Sequence, residues 1–112
     1  MPVIDQSTFD ELKQMSGDDF INELIDTFLD DAPAMIAEIK SALEANNADA
    51  FRRAAHSMKS NAATFGAMQL AALAKELEML GKENKLADSG DKLKALEEAY
   101  VSVREELEGL KS

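Results

Sequence analysis

Apolar residues recur along most of this chain every three or four positions, and no segment alternates apolar with polar residues long enough to make a strand. A short first run, Ser7 to Met15, places Phe9, Leu12 and Met15 on one side of a helix. Met1 to Asp5 precedes it as an arm, and Ser16-Gly17-Asp18-Asp19 breaks it. Ser16 reads as the N-cap of the next helix, with Asp19 placed as in a capping box. That second helix extends from about Asp18 to Ala45, with Phe20, Leu24, Phe28, Met35, Ile39 and Leu43 as its stripe and Ile21, Ile25 and Ile36 widening it. Pro33 lies inside and predicts a bend near Asp31-Ala32, because proline removes a backbone donor. Asn46-Asn47 supplies a turn.

A third helix is predicted over about Ala48 to Phe65, ended by Gly66. The fourth runs from about Ala67 to Leu80 on Leu70, Leu73, Leu77 and Leu80, closed by Gly81. Lys82 to Gly90 is a polar connection. The last helix, about Asp91 to Leu110, carries Leu93, Leu96, Tyr100, Val103, Leu107 and Leu110. Amphipathic helices joined by short turns bury their stripes only against one another. The expected fold is therefore all-α: an antiparallel up-down four-helix bundle with a short extra N-terminal helix over one end. Its 112 residues, without repeats or low-complexity linkers, make one domain, 1–112.

Composition narrows the chemistry. There is no cysteine, hence no disulfide framework or thiolate metal site. No N-terminal apolar run follows a basic segment, and no stretch approaches the roughly 20 apolar residues that span a bilayer. A cytoplasmic protein without a membrane segment is expected. A net charge of −10 opposes binding to nucleic acid. That charge is unevenly spread. From Ala50 to Lys75 there is no Asp or Glu, while Arg52, Arg53, Lys59 and Lys75 contribute +4, so the rest of the chain carries −14. A positive segment on a negative body suits an anionic partner or a phosphoryl group.

The only histidine, His56, lies in that segment. At about 100° per residue, Phe51, Ala55, Met58, Ala62 and Phe65 share one face and form the core stripe. His56 falls about 140° from Phe51, toward water, with Arg52, Arg53, Lys59 and Ser60 one turn away. Ala55, Ser57, Ser60 and Ala63 around it are small, so a partner can approach. A neutral imidazole is a nucleophile toward an activated phosphoryl group, and Lys59 is placed to hold the resulting anion. Other chemistries lack parts. One histidine without cysteine makes no zinc site, and no GxxxxGK[ST] loop is present to bind a nucleotide. Asp18-Asp19 and Asp30-Asp31 lack calcium-loop spacing. The residues alone also fit a helical interaction module in which His56 is incidental.

The run AHSMKSNAATFGAMQLAALAKELEMLG resembles the signature of histidine-containing phosphotransfer (HPt) domains: a histidine, a lysine three residues on, small residues, and a glycine ten after the histidine. These are His56, Lys59, Ser60-Asn61-Ala62-Ala63 and Gly66. The motif covers about a quarter of the chain, and the helix order agrees throughout. The resemblance implies a phosphorelay carrier that accepts a phosphoryl group on His56 from a receiver-domain aspartate or a kinase and passes it to another receiver, with no kinase activity of its own. It makes Lys59 the electrostatic partner and the helix over about 48–65 the active one. Arg52, Arg53, Ser60, Ala63, Gly66 and Lys82 are the candidate partner-contact residues, Lys82 as a second cation near the site. The family often has glycine where this chain has Ser60, which tightens a partner's approach. The implied partners are response-regulator receiver domains or hybrid sensor kinases. They hold the magnesium ion, and this chain needs no metal or cofactor. The first helix and the start of the second are expected to add an apolar rim to the docking face. A start at Met1 without a linker favours a stand-alone protein, and a monomer is expected. The alternative within this resemblance is an adaptor that binds a receiver or kinase without phosphotransfer.

Overall fold

The computed structural model describes residues 3–111. Five α-helices follow in order: α1 (Gln6–Ser16), α2 (Asp18–Glu44), α3 (Ala48–Thr64), α4 (Met68–Lys82) and α5 (Gly90–Leu110). A 3₁₀ turn, Leu86–Asp88, links the last two, and no strand occurs among the described residues. Cross-links between helices give the directions. Arg52 packs on Gly81 and His56 on Glu78, so α3 and α4 run antiparallel. Lys40 pairs with Glu97 and Asp26 with Lys111, so α2 and α5 do the same and close the ring. This is the expected up-down bundle, with α1 laid over one end.

The helices stop where backbone conformation requires it. Four turns use a residue of positive φ just past the helix, Gly17 at 88°, Asn46 at 55°, Gly66 at 82° and Asn84 at 58°. After α3, the Ala67 N–H donates to the Ala62 carbonyl and the Gly66 N–H to that of Ala63, which satisfies carbonyls the helix leaves open. At the other end, the Asn47 side chain accepts from the Ala50 N–H and caps α3.

Several local expectations change. Ser16 is the last residue of α1, not the cap of α2. Its hydroxyl donates back to the Leu12 carbonyl, and Gly17 starts α2 without a side-chain cap. Asp5 caps α1 instead, accepting from the Thr8 N–H. The buried line on α2 runs through Ile21, Ile25, Phe28, Ala32, Met35, Ile36, Ile39 and Ala42. Leu24 and Leu43 are half-buried and Phe20 is exposed, because alanines at closest approach set the direction of the stripe as firmly as bulky residues do. Met15 is exposed for a similar reason, as α1 touches the bundle through Phe9 near its start.

Helix α2 is unbroken through Pro33. Proline leaves the carbonyl four residues back, that of Leu29, without its helical donor, and the Tyr100 hydroxyl from α5 donates to it at 3.4 Å. Burial pushes the Tyr100 phenol up, so this donor is retained well into alkali. Helix α4 does not stop at Gly81. Gly81 is buried inside it, where a Cβ would stand 3.0 Å from the Arg52 backbone nitrogen. The glycine serves the close crossing of α3 and α4, and Leu73 and Leu80 are accordingly only half-buried while Ala74 is buried. The connection after α4 is not wholly polar, since Leu86 is buried.

Candidate functional site

The site is built on α3. Phe51, Ala54, Ala55, Met58 and Ala62 are buried against the bundle, with Phe65 just beyond them. That pins the rotation of the helix and turns His56 outward, its side chain 56% exposed. Ser60 and Ala63 are exposed on the same helix, and Lys82 is exposed at the end of α4. Gly66 is not on this surface. It is buried under the N-terminal arm: its carbonyl accepts from the Asp5 N–H at 2.8 Å, and a Cβ on it would meet the Asp5 carbonyl oxygen at 2.9 Å.

Arg52 and Arg53 are not free cations facing the ring. Both pair with Asp49, one turn back on α3, at 2.9 and 3.1 Å. The Arg52 hydrogen bond, with the Arg53 charge beside it, holds the Asp49 carboxyl below its ordinary value. Asp49 immediately precedes the acid-free segment, so the local positive charge is smaller than its boundaries suggest.

The residue that periodicity did not single out is Glu78. From α4 its carboxylate reaches across the helix crossing, with Oε2 2.7 Å from His56 Nδ1 and Oε1 accepting from Lys59 Nζ at 2.7 Å. The Glu78 side chain is only 15% exposed. The Lys59 hydrogen bond leads in holding its carboxyl low, against burial that raises it, and His56 adds in the same direction. Glu78 is therefore ionised at neutral pH. An ionised carboxylate only accepts, so Nδ1 is the ring nitrogen that bears the proton. In the neutral ring Nε2 is then left with the lone pair. A signal for Glu78 exists in the sequence. Ten residues back from Gly66 is His56, and ten residues on is Glu76, so a folded hairpin brings the acids of α4 level with the ring.

The Hpt domain family model matches residues 23–111. The chain belongs to the Hpt domain family. The crystal structure of histidine-containing phosphotransfer protein B from Pseudomonas aeruginosa PAO1 is similar throughout, with a TM-score of 0.93 and 28% sequence identity over 98% of this chain and 95% of that one. No curated protein matches the chain. As an Hpt domain, this protein is a histidine phosphotransfer carrier of phosphorelays, and its partners are of the phosphorelay kind. The described residues contain no cluster of ligands able to hold a metal and no helix long and apolar enough to cross a membrane.

The exposed apolar residues at the α1–α2 junction, Met15 and Phe20, are remote from His56. Phe28 stacks against Phe65, nine residues along α3 from His56, and Phe20 lies eight residues further along α2. At about 1.5 Å per residue the separation along the bundle is about 25 Å. They would rim the docking face only for a partner that spans that length.

Proposed function

We propose that His56 is the phosphoryl acceptor of this carrier, that Nε2 is the accepting atom, and that receiver-domain aspartates are the donor and recipient. The observation that carries this reading is an exposed imidazole whose Nδ1 is committed to Glu78, leaving Nε2 as a nucleophile facing solvent. Phosphoryl transfer asks the protein mainly for position and charge. Position comes from the buried face of α3 and from Glu78. Charge comes from Lys59, whose ammonium has three donors and spends one on Glu78, leaving two for phosphoryl oxygens. Ser60 and Ala63 leave room for a second backbone, and Lys82 lies one turn beyond Glu78 on α4. The magnesium ion of the reaction belongs to the receiver. The chain acts as a cytoplasmic monomer without kinase activity, taking its phosphoryl group from a partner.

The test is incubation of the native chain and His56→Gln with a panel of phosphorylated receiver domains. The native chain is expected to take up an acid-labile, base-stable label, and His56→Gln none. Label remaining in the variant, or label stable to acid, would place the acceptor elsewhere, on Ser57 or Ser60. A helical adaptor would bind receivers equally well in both forms and transfer nothing.

A further inference from the structure

Phosphorylated on Nε2, the ring has one further decision to make: whether Nδ1 keeps its proton. In the forward step the Nε2 lone pair attacks the phosphorus of an aspartyl phosphate. The N–P bond forms as the P–O bond to the aspartate breaks, and the aspartate leaves as a carboxylate. Nε2 carried no proton, so none is released there, and the product is a phosphoimidazolium with its proton on Nδ1. In the return step the N–P bond breaks and the pair returns to Nε2. With the Nδ1 proton in place, the ring leaves as neutral imidazole. Without it, the ring must leave as imidazolate, a far stronger base and a poor leaving group. A carrier that gives up its phosphoryl group readily must therefore hold that proton.

We propose that Glu78 is the positioning residue that retains the Nδ1 proton of phosphorylated His56, and so keeps the phosphoryl group transferable outward. The proposal rests on His56 being the acceptor. Its support is geometric. Glu78 Oε2 stands 2.7 Å from Nδ1, on the side of the ring opposite the accepting nitrogen. Its other oxygen is tied to Lys59 Nζ, also at 2.7 Å, so the carboxylate is held in place and cannot swing toward the incoming phosphate. A carboxylate so placed stabilises a cationic ring more than a neutral one. The charged groups around the ring leave this role to Glu78. On α3, Arg52 and Arg53 are paired with Asp49, and Lys59 is paired with Glu78 itself. On α4, Lys75 and Lys82 lie one turn to either side of Glu78 and, as cations, oppose the charged ring rather than favour it.

Glu78→Gln removes the charge at nearly constant shape: its single amide oxygen can still accept from Nδ1–H, but the NH₂ that then faces Lys59 cannot accept, so the Lys59 tie is lost with the charge. The native chain and the variant are labelled with ¹⁵N-histidine, phosphorylated by a phosphorylated receiver, and also directly with phosphoramidate. The Nδ1 resonance of the phosphohistidine is then followed against pH. The variant is expected to lose the Nδ1 proton at a pH lower by about one unit, the size of exchanging a charge-assisted hydrogen bond for a neutral one. Return transfer to a receiver in mildly alkaline buffer is expected to slow by about tenfold and to recover as the buffer is made acidic. Glu78→Asp, which keeps the charge, is expected to lie on the native side in both measurements. It carries the test if Glu78→Gln melts early. An Nε2–P signal whose Nδ1 midpoint is unchanged in Glu78→Gln, or lowered as far in Glu78→Asp as in Glu78→Gln, overturns the proposal alone. Absence of any Nε2–P signal on native His56 after exposure to phosphorylated receivers overturns the acceptor assignment, and the proposal with it.

Discussion

The Lys59 side chain is 29% exposed and its ammonium is already hydrogen-bonded to Glu78, so it meets a phosphoryl group as part of a fixed pair rather than as a mobile surface cation. Contacts from a charged donor to an anion are worth about 1.5–3 kcal/mol, so Lys59→Ala should slow transfer to His56 by tens-fold without abolishing it. Rapid-quench rates with a phosphorylated receiver measure this, and an unchanged rate would mean that Lys59 serves Glu78 only. The same triad carries a pH signature. Glu78 has its folded value below its ordinary 4.5, chiefly through Lys59. A depressed carboxyl adds stability that is present above the unfolded value and is lost as pH falls through the lower folded one. Melting temperatures of the native chain and Glu78→Gln should therefore differ at neutral pH and converge in acid, starting near the ordinary carboxyl range. Parallel curves across the whole range would show that the pair contributes nothing to stability.

At the scale of the elements, two glycines hold the α3–α4 hairpin in register, each for a different reason. Gly66 needs φ of +82° and has the Asp5 carbonyl in the way of a Cβ. Gly81 has ordinary helical backbone but touches the Arg52 main chain. Gly66→Ala should cost about 2 kcal/mol or more, from the left-handed conformation and the steric contact together. Gly81→Val should push α4 off α3 and so lengthen the reach from Glu78 to His56, lowering both the melting temperature and the rate of phosphotransfer. Gly90, where a Cβ would meet nothing within 4 Å, is the control. Gly90→Ala should be neutral or stabilise by about 0.4–1 kcal/mol, because alanine narrows the unfolded ensemble. Thermal melts of the three variants, with transfer rates for Gly81→Val, decide the matter. A Gly81→Val chain of native stability and rate would show that the crossing tolerates a side chain there.

Over the whole molecule, one helix divides the labour between folding and docking. Ala62 is wholly buried, whereas Ser60, two residues away, faces solvent beside His56. Ser60→Trp should change stability by no more than about 0.5 kcal/mol, since it adds bulk at the surface. It should nevertheless block transfer by holding the two backbones apart. Ala62→Trp should unfold the bundle, as overpacking by even a few methylenes costs about 1–3 kcal/mol. Melting temperature and transfer rate, measured on both variants, separate the roles. A Ser60→Trp chain that transfers normally would remove this face as the docking surface.

The sequence by itself determined which helices form, which face of α3 is buried, and that His56 and Lys59 stand one turn apart on a surface without bulky neighbours. These are consequences of the 3.6-residue period, and a period is a local property that the order of residues expresses directly. The tertiary structure decided what the ring touches. Glu78 lies 22 residues from His56 and is one of many acids in an acidic chain. Only the register of α4 on α3, set by the turn at Gly66 and the close crossing at Gly81, selects it as the carboxylate beside Nδ1. The same holds for Gly81, whose position near a helix end suggested a stop, and for Ser16, whose spacing from Asp19 suggested a cap. Each has local options of similar energy, and the winner is chosen by groups that are distant in the chain and adjacent only once the helices have packed.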